Sequence, residues 1–360
     1  MARNIWIGSL FLLLITALAG QQLTEQLRVV HSDKLFLTKV NDEQVMELSG
    51  KVHFWYGTTE FKSDRALIFD LQKIARLDGN VRVNNDSLSL QADSLSYYRI
   101  PDELNAGGKV YITETRKNGG FSWFRSEYAI YNKLEDNLTV WQDVSAFDRE
   151  ENASASCGYA HWDRRAGYAY MVENPKLRTA REDTLYVTAD KLEFYNAERK
   201  IVATFNVVAQ TQDYSTTSDF LLYFLNEENA VFTGQPHFSS DLATAGAREF
   251  YLFFKDRKLT HAELVDSCRV EFAEERGALK NNWVKASFIT LDFAAGAITG
   301  FHAETAVDYF YAQEQTEERD YLVNHASGEA LDARFDAGNN LEIMIMRSGI
   351  KGIYRFHNNS

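Results

Sequence analysis

Proline and cysteine are scarce in this chain, with three and two residues among 360. Two thiols, Cys157 and Cys268, do not make a disulfide framework, and no Cys/His spacing reads as a zinc site. The eight histidines are scattered, with no metal-binding pair one helical turn apart. Cations are outnumbered, 38 Lys and Arg against 51 Asp and Glu, for a net charge of -13. That balance argues against a nucleic-acid partner, because phosphates need clustered Lys and Arg. There is no nucleophile motif, glycine-rich phosphate loop or metal cluster, so no catalytic residue and no cofactor is expected. Beyond residue 20 no apolar run reaches the roughly 20 residues that cross a bilayer as a helix. Nor does any segment of comparable length carry a convincing helical period.

What is present favours strands. Apolar residues make up 45% of the chain, and 24 Phe and 18 Tyr lead the aromatics. Such side chains fit a pleated, half-buried surface. The N-terminus reads as an export signal over residues 1–19. Arg3 supplies the positive charge, Ile5 to Ile15 the apolar run, and Ala17-Leu18-Ala19 the small-x-small pattern. Cleavage is expected after Ala19, with retention as a membrane anchor the alternative.

The rest, 20–360, reads as one repeat domain. A small residue, often followed by an acid, opens a short alternating strand. Copies are Ser63-Asp64, Ala92-Asp93, Ser126-Glu127, Cys157-Gly158, Ala189-Asp190 and Ser218-Asp219. Degenerate copies follow at Ala247-Arg248 and Ala286-Ser287, with a ninth near Gly328-Glu329. Their spacing is 29 to 42 residues. A period near 30 suits one supersecondary unit that must stack on its neighbours. Turn residues Asp70, Asn132, Asn196 and Asn226 close the first strand of a unit, and a second strand follows. About nine strand-turn-strand units are expected, stacked at the spacing of neighbouring strands over roughly 40 Å.

Alternate side chains of a strand point to opposite faces. One phase aligns Ala66, Ile68, Leu95, Tyr97, Ala129, Tyr131, Leu192, Phe194, Leu221 and Tyr223 into an apolar column. The second strands supply a facing column with Val81, Val110 and Phe205. Two facing apolar walls make a sandwich-like or rolled tube. The ends of such a stack are open sheet edges, which recruit further strands.

The Ala/Ser-Asp-x-Leu-x-Tyr/Phe openings, paired with Gly-x-Val at Gly50, Gly79 and Gly108, resemble the OstA-like (organic solvent tolerance) family of lipopolysaccharide-transport proteins. The likeness is best over residues 48–113 and extends to about 225; beyond that it is mainly periodicity. The resemblance implies an all-β jellyroll, or β-taco solenoid, whose inner walls hold lipopolysaccharide acyl chains. It also implies a periplasmic location and end-to-end strand pairing with other jellyroll proteins, or with further copies of this chain, to bridge the inner and outer membranes. Some members add a C-terminal barrel; the sequence ends at Ser360, so the resemblance points to the bridge component. The chain is longer than the family's bridges, which leaves the number of copies open.

Two other functions fit the repeats. An exported structural or adhesive array would use the same columns as a dry core. A carbohydrate-active enzyme would need a singular pair of carboxylates, whereas Asp64, Asp93, Asp190 and Asp219 recur once per unit and read as structural. Net negative charge opposes an anionic lipid, but burying each CH₂ contributes about 0.8 kcal/mol, so acyl burial can dominate. Arg164-Arg165 and Lys176, Arg178 and Arg181 are local basic clusters that could meet a head group; as isolated surface charges they read as solvated.

Overall fold

The computed structural model describes residues 27–357, apart from 86–87, 116–119, 151, 181–183, 257, 273–280, 295–296, 314–320 and 337–340. The expected export segment and its cleavage position lie outside these residues. The described residues form 26 strands and no helix, all in one antiparallel sheet.

Most of the small-acidic openings lie at the middle of strands; Ala189-Asp190 and Ala247-Arg248 instead stand just before Lys191–Tyr195 and Glu249–Lys255. Strand Ile74–Asn84 pairs with Thr59–Phe69 as Leu77 with Ala66 and Ala75 with Ile68. Beyond a register shift it pairs as Val83 with Phe61. At the shift stand Gly79 and Asn80, with φ of 76° and 47°. Two successive left-handed residues interrupt the ladder and bend the strand. The device recurs at Gly50-Lys51, Gly108-Lys109, Gln142-Asp143, Glu173-Asn174, Phe205-Asn206, Gly234-Gln235, Asp266-Ser267 and Thr305-Ala306. The residue after each pair is buried: Val52, Val81, Val110, Val144, Pro175, Val207, Pro236, Cys268 and Val307. Pro175 and Pro236 interrupt the strand there, since proline has no N–H for the ladder. Tyr168–Val172 thus ends before Lys176–Ala180 begins, and Asn229–Thr233 before His237–Ser240.

Every strand level is therefore a V, with half in each of two walls. In the first wall Ala129, Val140, Ala160, Met171, Leu192 and Ala203 are successive cross-strand partners. In the second, Phe61, Val83, Leu90, Ile112 and Phe124 follow one another. The walls are continuous along the bend. Their other margins are two rows of strand ends, which form the lips of a jellyroll. This corrects the expectation that first strands build one wall and second strands the other. The strands make twenty levels, six of them broken at the bend into two strands. At neighbouring-strand spacing the stack is roughly 90 Å long, twice the expected length, because each unit adds two levels rather than one.

The same count separates the cysteines. Cys157 and Cys268 lie seven levels apart, roughly 34 Å along the stack, and both are free and buried. Burial pushes each thiol up to about 11. Thiol counting at pH 8 is expected to find neither reactive in the native protein and two per chain in denaturant without reductant. An intramolecular disulfide by mass spectrometry would contradict the stack.

Candidate functional site

The site is the space between the walls. Ala66, Ile68, Val81, Leu95, Tyr97, Val110, Ala129, Tyr131, Leu192 and Leu221 are all buried, on the inner phase. Phe194 and Tyr223 share that phase, half-buried and packed against the core. Phe205 does not belong there. It takes the first left-handed position of its bend, with φ of 57°, and is 61% exposed. Simple alternation placed it inward in step with Val207. The left-handed backbone at Phe205 and Asn206 turns Phe205 outward, while Ala203 and Val207 on either side point in.

The walls touch over the N-terminal third. Phe61 of the second wall meets Tyr97 of the first with ring centroids 5.1 Å apart, and Tyr56 meets Tyr97 at 5.7 Å. Further along, Phe124 meets Trp162 at 5.9 Å. Arg99, from a turn of the first lip, stands over Tyr56 at 5.6 Å. Arg164, at the next turn but one along that lip, reaches across to Glu114 of the second wall at 2.8 Å. It also covers Trp162 at 4.6 Å. The sequence reads Arg164 as a surface charge that is solvated or, with Arg165, meets a head group; in the structure its guanidinium closes the seam. Sequence gives no signal for this pairing, because Glu114 and Arg164 are 50 positions apart and neither belongs to the repeat pattern.

Beyond the seam the lining changes. Nearest the lips, Ile68, Leu104 and Leu138 of the first wall are buried. Their counterparts Trp162, Phe194 and Tyr223 are half-buried, and so are Leu177, Leu185 and Phe238 facing them from the second wall. Deeper, beside the bend, Leu192, Ala203 and Val207 stay sealed at 0%, 0% and 1% exposure. In the middle of the stack the inner-phase residues nearest the lips are thus less buried than those beside the bend. Among the described residues no group of three or more His, Cys, Asp or Glu could hold a metal ion.

The recurrent acids act at the bends. Asn80 donates to Asp64 Oδ2 at 2.7 Å, and Asn206 donates to both Asp190 oxygens at 3.0 and 3.1 Å. The Asp190 N–H donates to the Phe205 carbonyl at 2.9 Å.

No family model matches the chain, and no curated protein matches it. Among solved structures it is similar to LptH of Pseudomonas aeruginosa, described as the LptA-homologous periplasmic component of the lipopolysaccharide transport device. The match has 12% identity and a TM-score of 0.14, covering 46% of this chain and 75% of that one. A likeness at this TM-score carries no functional weight; the pairing, bends and lining of this chain's own walls do.

Proposed function

We propose that this protein is a non-enzymatic periplasmic carrier that holds the acyl chains of lipopolysaccharide between its walls and helps bridge the inner and outer membranes. The observation that supports this most is the set of inner-phase residues Phe194, Tyr223, Leu177, Leu185 and Phe238 near the lips. These are inner-phase apolar side chains left half-buried where the sealed third shows that the same fold can cover them. Facing walls of large apolar residues that water reaches would gain by covering alkyl chains, about 25 cal/mol for each Å² buried. Photo-crosslinkers at Phe194, Tyr223 and Leu185 are expected to capture lipopolysaccharide in cells, with none captured from Ser94 or Glu193 on outer faces. Equal capture from both sets would remove the carrier reading. The ring contacts across the N-terminal third favour a second reading, a structural array with a dry core, which predicts no capture anywhere.

The two ends support joining to another jellyroll. Leu35 and Leu37 on the first level continue the inner phase, paired with Leu48 and Met46, yet are 52% and 58% exposed. At the other end Tyr354 and Phe356 continue it at 60% and 67% exposure. Among the described residues, strands Lys34–Val40 and Leu341–Arg347 each have one neighbour, which leaves an edge in line with the walls where a further strand could pair. The partner is a further copy or another jellyroll protein of the same bridge. Leu37→Lys is expected to lower end-to-end association at least tenfold by sedimentation velocity without changing thermal unfolding. Proline at Val52 would not test this, because Val52 is an internal bend position equivalent to Pro175 and Pro236.

A further inference from the structure

The outer face of the first wall carries a belt of rings that the groove does not use. Tyr128 and Trp141 stack with centroids 5.4 Å apart, and Trp141 is the cross-strand partner of Tyr159. Tyr159 lies 6.0 Å from Tyr170, Tyr170 lies 6.0 Å from Tyr168, and Tyr168 lies 5.2 Å from Tyr195. Each alternates in sequence with the inner row, so the belt faces away from the groove. It crosses the wall diagonally from the bend toward the lip, over roughly 20 Å at neighbouring-strand spacing.

Polar groups sit among the rings. Tyr168 donates its hydroxyl to Glu193 at 2.5 Å, and Lys191 donates to the same oxygen at 2.8 Å. Lys191 and Lys200 also lie over Tyr170 and Tyr195, at 5.4 and 4.4 Å. Burial and the bond to Glu193 push the Tyr168 hydroxyl up to about 12, so it stays a neutral donor. Toward the lip Lys191, Lys200 and Arg165 stand with Glu193, Asp163 and the turn residue Glu198, and at the bend end stand the acids Glu127, Asp143 and Glu173. The chain as a whole stands at -13.

We propose that this belt binds a linear chain of uncharged pyranose sugars. A sugar ring offers C–H groups to an aromatic face and hydroxyls to carboxylate, ammonium and phenol groups at its rim. The belt presents that combination in a line long enough for an oligosaccharide. A surface with acids at one end, on a protein of net charge -13, complements a neutral chain better than a polyanion. Every strand beneath the belt has two neighbours, so no free edge invites a peptide to add as a strand. A glycolipid seated between the walls would send its sugars out at the lips, away from most of this face, so a separate glycan is the better fit.

The test is isothermal titration of the full chain with three hexasaccharides: cellohexaose, N-acetylchitohexaose and hexagalacturonate. At least one neutral hexamer is expected to bind, and hexagalacturonate is not. Trp141→Ala and Tyr170→Ala are each expected to weaken binding about tenfold. Glu193→Gln, which keeps shape and removes only charge, is expected to weaken it less while unfolding normally. Absence of binding by both neutral hexamers, equal binding of the acidic one, or indifference to all three substitutions would overturn the proposal. So would loss of a concentration-dependent dimer in Tyr170→Ala without any saccharide effect, which would make the belt a protein interface.

Discussion

Replacing Gly79 with Ala is expected to destabilise the protein by roughly 2–4 kcal/mol, from left-handed strain and overpacking together. Gly79 has φ of +76°, and a Cβ built on it would lie 2.5 Å from Asp64 Oδ2 and 3.0 Å from Asp64 Cβ. Strain alone does not explain the glycine, since Gln142, Glu173 and Phe205 take the same conformation at the equivalent position. A facing acid does not by itself exclude a side chain, since Phe205 faces Asp190; at Gly79 the Asp64 side chain lies directly over the position, where a Cβ would go. Gly50, Gly108 and Gly234 lie under Asp33, Asp93 and Asp219 in the same way. One bend reverses the arrangement. There Glu173 is the left-handed residue, and the glycine is opposite it at Gly158, where a Cβ would come 2.6 Å from that of Glu173.

The reversal makes the expected result specific. Asp64→Gly combined with Gly79→Ala restores the order found at Gly158 and Glu173, so the double variant is expected to recover about half of the lost stability. Chemical denaturation of the two single variants and the double variant measures the coupling. A double variant no better than the sum of the singles would mean that the carboxylate is not what excludes a Cβ. In a stack where each unit touches only its neighbours, hydrogen exchange should place the damage near the bend and leave the strands after Tyr214 protected.

The bends also mark where sequence reasoning stopped. Alternation along a strand needs only the period of two, so the inner positions Leu95, Ala129, Leu192 and Leu221 were legible, as were the turns at Asp70, Asn132, Asn196 and Asn226. A bend in mid-strand is invisible to that period. Ser63-Asp64 looks like a strand start because a small residue and an acid commonly open one. Its true role depends on Gly79-Asn80, fifteen or more positions away. The length of the stack and the direction of Phe205 both failed for that reason. Whether the walls touch depends on side chains meeting across the seam from different units, such as Tyr97 with Phe61 and Arg164 with Glu114. Periodicity carries no record of those meetings.

That seam carries the second large effect. Arg164 and Glu114 are only 14% and 12% exposed at their side chains. Breaking a buried pair by removing one partner costs roughly 3–5 kcal/mol, because the other charge is left uncompensated; slight exposure reduces this to about 2–3 for Arg164→Ala. Arg164→Met with Glu114→Leu replaces both charges by apolar groups suited to Trp162 and Tyr131, and is expected to recover most of the loss. Stability alone does not distinguish the two readings of the interior, but lipid capture does. In a carrier, the seam is the part of the lip that must part for alkyl chains to run from the middle of the stack toward the N-terminal third. Arg164→Ala should then raise lipopolysaccharide capture by a crosslinker at Phe124, whose ring lies 5.9 Å from Trp162, severalfold above the level with Arg164 in place. In a dry structural array the same substitution lowers stability and leaves Phe124 without lipid. Capture at Phe124 that rises in Arg164→Ala and falls back in the apolar double variant would identify the ion pair as the closure of a lipid groove.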